Sequence, residues 1–126
     1  MGKERGRILV VDDEPEIVKT VGLRLKASGY EVLTAGDGIQ ATSIAMHDHP
    51  DVIILDIGMP AGDGHLVAKR LRDSGKSMIP IIFLTAHTSK EDYEKAFEEG
   101  VAKYITKPFR PEELLAAVEE LMERCA

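Results

Sequence analysis

Five short apolar runs, at residues 8–11, 32–34, 52–55, 81–84 and 102–105, recur at fairly even intervals, and segments of helical periodicity fill the gaps between them. This alternation constrains the fold more than any other feature. Strands that join in parallel need a long crossover, and a helix is the compact way to make one. The first, third and fourth runs are nearly unbroken Val, Ile and Leu, as strands covered on both faces require, which predicts them at the centre of the sheet. Ile17, Val21 and Leu25 in one intervening segment share a helix face, as do Leu114, Leu115, Val118, Leu121 and Met122 in the last. Punctuation agrees. Pro15 suits a first helical turn, Asp37 with Gln40 resembles a capping pair, and Pro111 precedes the acidic turn Glu112-Glu113. Gly29, Gly75 and Gly100 fit helix ends. The pattern predicts an α/β domain with a doubly wound parallel sheet and right-handed crossovers that put helices on both faces.

A chain of 126 residues can bury a core as one domain without metal or disulfide staples. Its 44% hydrophobic and 30% charged residues match soluble averages, and no segment approaches the apolar length of a membrane span. The basic start, residues 1–7, is followed by an apolar run too short for a signal peptide. The single cysteine, Cys125, excludes an internal disulfide, suits a reducing cytosol and is expected at a solvent-exposed end. These features predict a cytoplasmic protein with no membrane role. The net charge of -6 disfavours direct nucleic-acid binding, which draws on clustered Lys and Arg, so a DNA role would need another domain. No internal repeat, linker, low-complexity stretch or long disordered tail stands out.

Polar residues sit just past four of the apolar runs: Asp12-Asp13, Asp56, Thr85 and Lys107. Side chains at the carboxyl ends of parallel strands converge on one edge, so residues distant in sequence can share a crevice. Each has a plain alternative. Asp12-Asp13-Glu14-Pro15 reads equally as an acidic helix start, Asp56 as a loop aspartate, Thr85 as a structural strand end and Lys107 as a solvated charge. Read together, Asp12, Asp13 and Asp56 offer the hard oxygen donors that Mg²⁺ prefers while keeping waters and an open position. Asp56 offers a carboxylate nucleophile toward a phosphoryl donor. Without metal the clustered anions should repel and raise carboxylate pKa values. Thr85 offers a hydroxyl donor, Ala86 leaves room for a phosphoryl group, and Lys107 supplies an ammonium. The Lys107-Pro108 bond is one where a cis peptide is cheap, and a turn of that kind would aim Lys107 inward.

The combination of Asp12 and Asp13, Asp56 in Leu55-Asp56-Ile57-Gly58-Met59-Pro60 with Asp63-Gly64 following, Thr85-Ala86, and Lys107-Pro108-Phe109 resembles the receiver domain of two-component response regulators across essentially the whole chain. The resemblance implies a flavodoxin-like three-layer sandwich with five helices and strand order 2-1-3-4-5. It implies Asp56 as phosphoacceptor, Asp12, Asp13, Asp56 and the Gly58 carbonyl as Mg²⁺ ligands, and Thr85, Ala86 and Lys107 around the phosphoryl group. Thr85 and Tyr104 would be the switch residues, and Gly58 and His87 would help set phosphate lifetime. The implied partner is a histidine kinase or histidine phosphotransfer protein. The output would pass through the fourth helix, fifth strand and fifth helix to a downstream protein or to an output domain missing from this chain, the protein acting as a monomer or a phosphorylation-dependent dimer. A stand-alone single receiver domain over 1–126 is the preferred organisation.

Two other functions compete. A Mg²⁺-dependent phosphohydrolase with an aspartyl intermediate would need a second acid and a cap, whereas Gly58 stands two after Asp56 and the chain has no length for a cap. A nucleotide or flavin carrier on the same architecture would need a Gly-rich phosphate loop after the first strand, which is absent. The charged segment with Lys90, Glu91, Asp92, Glu94, Lys95, Glu98 and Glu99 reads as a solvated helix face, and His47, His49 and His65 read as surface residues without metal-ligand spacing.

Overall fold

The computed structural model describes residues 5–59, 63–75 and 79–125, with side chains as far as Glu123. Pro60 and the side chain of Cys125, both singled out in the sequence, lie outside the described residues, as do residues 1–4 of the basic start. Strands and helices alternate as β1 (Arg7–Val11), α1 (Pro15–Ala27), β2 (Glu31–Ala35), α2 (Gly38–Asp48), β3 (Val52–Leu55), α3 (Gly64–Asp73), β4 (Ile81–Thr85), α4 (Lys90–Glu98), β5 (Lys103–Thr106) and α5 (Pro111–Cys125). All pairings are parallel, in the order β2-β1-β3-β4-β5. The three runs read as central strands are central. β5 is assigned one residue later than its apolar run, although the Ala102 N–H already bonds the Ile81 carbonyl at 2.8 Å.

Period-2 alternation along the strands divides the core into two layers. Ile8, Val10, Ile54, Ile82, Leu84 and Ile105 face α1 and α5, meeting Val21, Leu25, Leu114, Val118 and Leu121. Leu9, Val11, Ile53, Leu55 and Phe83 face the other way, onto Ala41 and Ala45 of α2, Val67 and Leu71 of α3, and Ala96 of α4. The sheet is therefore covered on both sides, which is why its central runs carry no polar interruptions.

Helix boundaries follow the punctuation. Asp37 accepts from the Gln40 N–H, Asp63 from Leu66 N–H and Ser89 from Asp92 N–H. Gly29, Gly75 and Gly100 leave their helices with φ of 97°, 86° and 76°, a region that costs other residues a steric clash. α1 differs, because Glu14 occupies its N-cap without a side-chain hydrogen bond. The acidic run before α1 is therefore not spent on capping it. Among the described residues no helix is long and apolar enough to cross a membrane.

Leu121, 2% exposed, and Phe97, 86% exposed, test this division. Leu121→Ala should cost about 2–5 kcal/mol in urea unfolding. Phe97→Ala should stay within about 0.5 kcal/mol of wild type.

Candidate functional site

The ladders continue one residue past the strands, and this fixes the site. Asp12 donates its N–H to Ala35 O at 3.2 Å, Asp56 to Val11 O at 3.1 Å and Lys107 to Thr85 O at 2.9 Å. Asp12 stands two after Val10, Asp56 two after Ile54 and Lys107 two after Ile105, so all three inherit the α1–α5 side of the sheet. Thr85 stands two after Phe83 and falls on the other side. The crevice thus receives carboxylates and an ammonium from one layer and a hydroxyl from the opposite one.

Oxygen atoms of Asp12, Asp13 and Asp56 lie within 4.8 Å of one another. At that distance two carboxylates repel by about 3.5 kcal/mol at an effective dielectric of about 20. Lys107 offsets part of this. Its Nζ lies 2.8 Å from Asp12 Oδ2, 2.8 Å from Glu14 Oε1 and 3.2 Å from Asp56 Oδ2. The Lys107-Pro108 peptide is cis. Burial works against the ammonium, yet its bonds to Asp12 and Glu14 and the charge of Asp56 outweigh that and hold Lys107 above the ordinary lysine range. Asp12, 3% exposed, moves upward as well, because desolvation outweighs its bonds from Lys107 and the Glu14 N–H. The two shifts differ in origin: the cation is secured by its partners, while the carboxylate is dominated by loss of water. Mutual repulsion, expected to raise the carboxylates, contributes to the Asp12 shift as the smallest of its causes. One ammonium against Asp12, Asp13, Asp56 and Glu14 leaves three negative charges uncompensated when all four acids are ionised. An all-oxygen donor set with surplus negative charge fits a small hard divalent cation.

The rim is built around His87. Thr85, fully buried, accepts the His87 N–H at 3.1 Å on Oγ1, and its hydroxyl also carries a proton it can donate. Tyr104 donates its hydroxyl to the His87 carbonyl and stacks on Tyr93 with centroids 4.1 Å apart. Burial, then the nearby Asp92 charge, pushes the Tyr104 phenol up to about 12, so it remains a donor. The His87 ring lies over Gly58, where a Cβ would sit 2.6 Å from Nε2. Gly64 has a different constraint. A Cβ there would meet the Asp56 carbonyl oxygen at 2.6 Å, so only glycine lets the start of α3 approach the Asp56 backbone. Ala86 is exposed beside Thr85.

A family profile described as "Response regulator receiver domain" matches residues 8–119. The chain belongs to the response regulator receiver family. The transcriptional regulator RpaA of Synechocystis is 42% identical over 119 residues, covering 94% of this chain and 49% of the relative. The regulatory protein PhoP of Bacillus subtilis is 44% identical over 118 residues, covering 94% of this chain and 49% of its own length. This receiver domain therefore spans about half the length of these curated relatives. Among solved structures, the Francisella response regulator 1452 receiver domain superposes with a TM-score of 0.90 at 31% identity, covering 96% of this chain and 99% of that one.

Every residue proposed from the receiver pattern lies at or beside this edge, but two features of the domain were misread or missed. His65, read as a surface residue, is 5% exposed, and Asp92 and Glu99, read as part of a solvated face, both bond its ring. The signal was present: His65, Ala68 and Leu71 share the three-residue spacing of the buried stripe of α3. Glu14 was not foreseen as a partner of Lys107. The Asp12 carboxylate takes the Glu14 N–H at 2.9 Å, a local turn that sets Glu14 beside Lys107.

The raised Asp12 value has a definite sign. A carboxyl whose folded pKa exceeds its unfolded one stabilises the fold while protonated and loses that contribution as pH rises. In chelated, metal-free buffer, Asp12→Asn should therefore gain stability relative to wild type as pH rises from about 4. Urea midpoints at several pH values check this, and a relative gain confined to acid would contradict it.

Proposed function

We propose that this receiver is a phosphorylation-activated signalling switch whose phosphoacceptor is Asp56. The observation that carries the reading is the joint placement of Asp56, 7% exposed, against Lys107 and Asp12 at the same strand edge that presents Thr85. A histidine kinase or phosphotransfer protein would supply the phosphoryl group. An Asp56 carboxylate oxygen would attack phosphorus as the bond to the donor nitrogen breaks, giving an acyl phosphate. A cavity of ≈ 350 Å³ lined in part by Asp12, Asp13, Lys19 and Gln40 opens on the β2 side of the cluster.

Asp12, Asp13, Asp56 and the Gly58 carbonyl would hold Mg²⁺, which when bound supplies the positive charge that lets an anionic carboxylate meet an anionic phosphoryl group. Lys107 would exchange a carboxylate partner for a phosphoryl oxygen, and Thr85 would donate its hydroxyl proton to another, beside the small Ala86. Because Thr85 Oγ1 and the Tyr104 hydroxyl bond the N–H and the carbonyl of the same residue, His87, a shift of Thr85 would bear on Tyr104. The phosphorylated state would then favour a different arrangement of α4, β5 and α5 by the energy of contacts made only there. Gly58 and His87, in direct contact, would govern how closely water approaches the acyl phosphate. The domain would act as a signalling module with self-phosphorylation and slow self-dephosphorylation, in the cytoplasm, as a monomer or a phosphorylation-dependent dimer. Residues 1–126 would form a single receiver domain whose target is a downstream protein or an output region, with any DNA contact of the kind named for RpaA made outside these residues.

Intact-mass measurement after incubation with acetyl phosphate and Mg²⁺ should show one phosphoryl group on wild type and none on Asp56→Asn. An undiminished adduct on Asp56→Asn, or turnover of a generic phosphate ester in place of an adduct, would overturn the reading. Gly58→Ala, which must displace the His87 ring, should change the decay rate of the adduct while leaving its site at Asp56.

A further inference from the structure

His65, the second residue of α3, is the one buried imidazole among the described residues, and it faces two acids. Nδ1 lies 2.7 Å from Glu99 Oε1 and Nε2 lies 2.9 Å from Asp92 Oδ1. An ionised carboxylate only accepts, and a neutral imidazole carries one N–H, so the imidazolium is the form that donates to both acids at once. Asp92 is held below the usual carboxylate range, chiefly by the bond from His65 and, against the pull of burial, by the Ser89 hydroxyl as well.

The two acids stand at opposite ends of α4, Asp92 in its first turn and Glu99 at its C-cap. Little else holds this helix down. Its sole buried residue is Ala96. The further link from α3 is Arg72, which donates to the Glu98 carbonyl at 3.1 Å. The other groups around the ring are the Phe83 edge from β4, with centroids 5.3 Å apart, and His87, whose Nδ1 is 3.9 Å from the second oxygen of Asp92. From β5, Tyr104 meets the same Phe83 ring edge-on and stacks on Tyr93 of α4.

We infer that His65 is a positioning residue for α4, a clamp that closes when the imidazole is charged and opens when it loses a proton. In the charged form one side chain of α3 pins both ends of α4. Losing a proton leaves one carboxylate facing a ring lone pair, and the helix loses an anchor on the face that Asp92, Ala96 and Glu99 turn to α3. Because only the charged ring donates from both nitrogens, the clamp holds while the second ring proton is present and is lost when that proton leaves. Protonation would then tune α4 without any phosphoryl group, which adds a second input to the one proposed above.

Hydrogen–deuterium exchange of the α4 amides, corrected for intrinsic rates, tests this across the pH interval in which the folded protein's imidazole ¹⁵N shifts are followed. Wild-type α4 should lose about ten-fold protection over that range while β1 and β3 stay unchanged. His65→Leu and His65→Gln should show no such pH dependence, and retained protection of β1 and β3 reports that each variant is folded; should one fail to fold, the other carries the test. Imidazole ¹⁵N shifts of wild type should show both His65 nitrogens protonated at the acid end and one at the alkaline end. Wild-type α4 protection that ignores pH, the same pH dependence in either folded variant, or a neutral His65 across the whole range would overturn the clamp. No phosphoryl donor enters the measurement, so its outcome is separate from that for Asp56.

Discussion

The arrangement of the site depends on one ammonium set among carboxylates. Asp12 and Asp56 are delivered to neighbouring positions by the β1–β3 ladder, which runs one residue past the strands and leaves them no freedom to separate. Lys107 arrives from across β4 and bonds both, with Glu14 as a third partner. That one cation tolerates the crowding without neutralising it. The residual negative charge is the property that would let the same edge attract a divalent ion.

A second constraint links this edge to the surface. The loop from β4 to α4 hangs on His87: its N–H goes to Thr85, its carbonyl takes the Tyr104 hydroxyl, and its ring rests over Gly58. Phe83 then joins the two sides of this loop, meeting His65 edge-on at 5.3 Å and Tyr104 edge-on at 5.8 Å. Close-packed aromatic neighbours do not move independently, since each displacement opens a gap or a clash. The α4 helix lies at the end of both routes, held by its carboxylates more than by apolar burial.

The architecture was legible because each strand and helix announces itself locally. Nearly unbroken Val, Ile and Leu in the first, third and fourth runs fit strands covered on both faces, and Asp37 caps its helix through a bond spanning three residues, as Asp63 and Ser89, not singled out as caps in the sequence, also do. The site residues were legible for a related reason: position just past a strand is a sequence property, and in a parallel sheet that position already means one edge. The receiver pattern then supplied roles that the residues singly did not. What could not be read was whom each charge meets. His65 looks polar and exposed on its own, and its burial depends on Asp92 and Glu99, 27 and 34 residues away.

The sequence by itself thus determined the alternation of elements, the doubly wound class and the membership of the strand-end cluster, since these follow from periodicity and from short-range hydrogen bonds. The tertiary structure alone decided that Lys107 spans Asp12, Glu14 and Asp56, that Gly58 is overlaid by His87, and that α4 is tied to α3 through a buried imidazole. These are contacts between segments brought together by folding. Their energies depend on distance and burial, and both are properties of the packed chain.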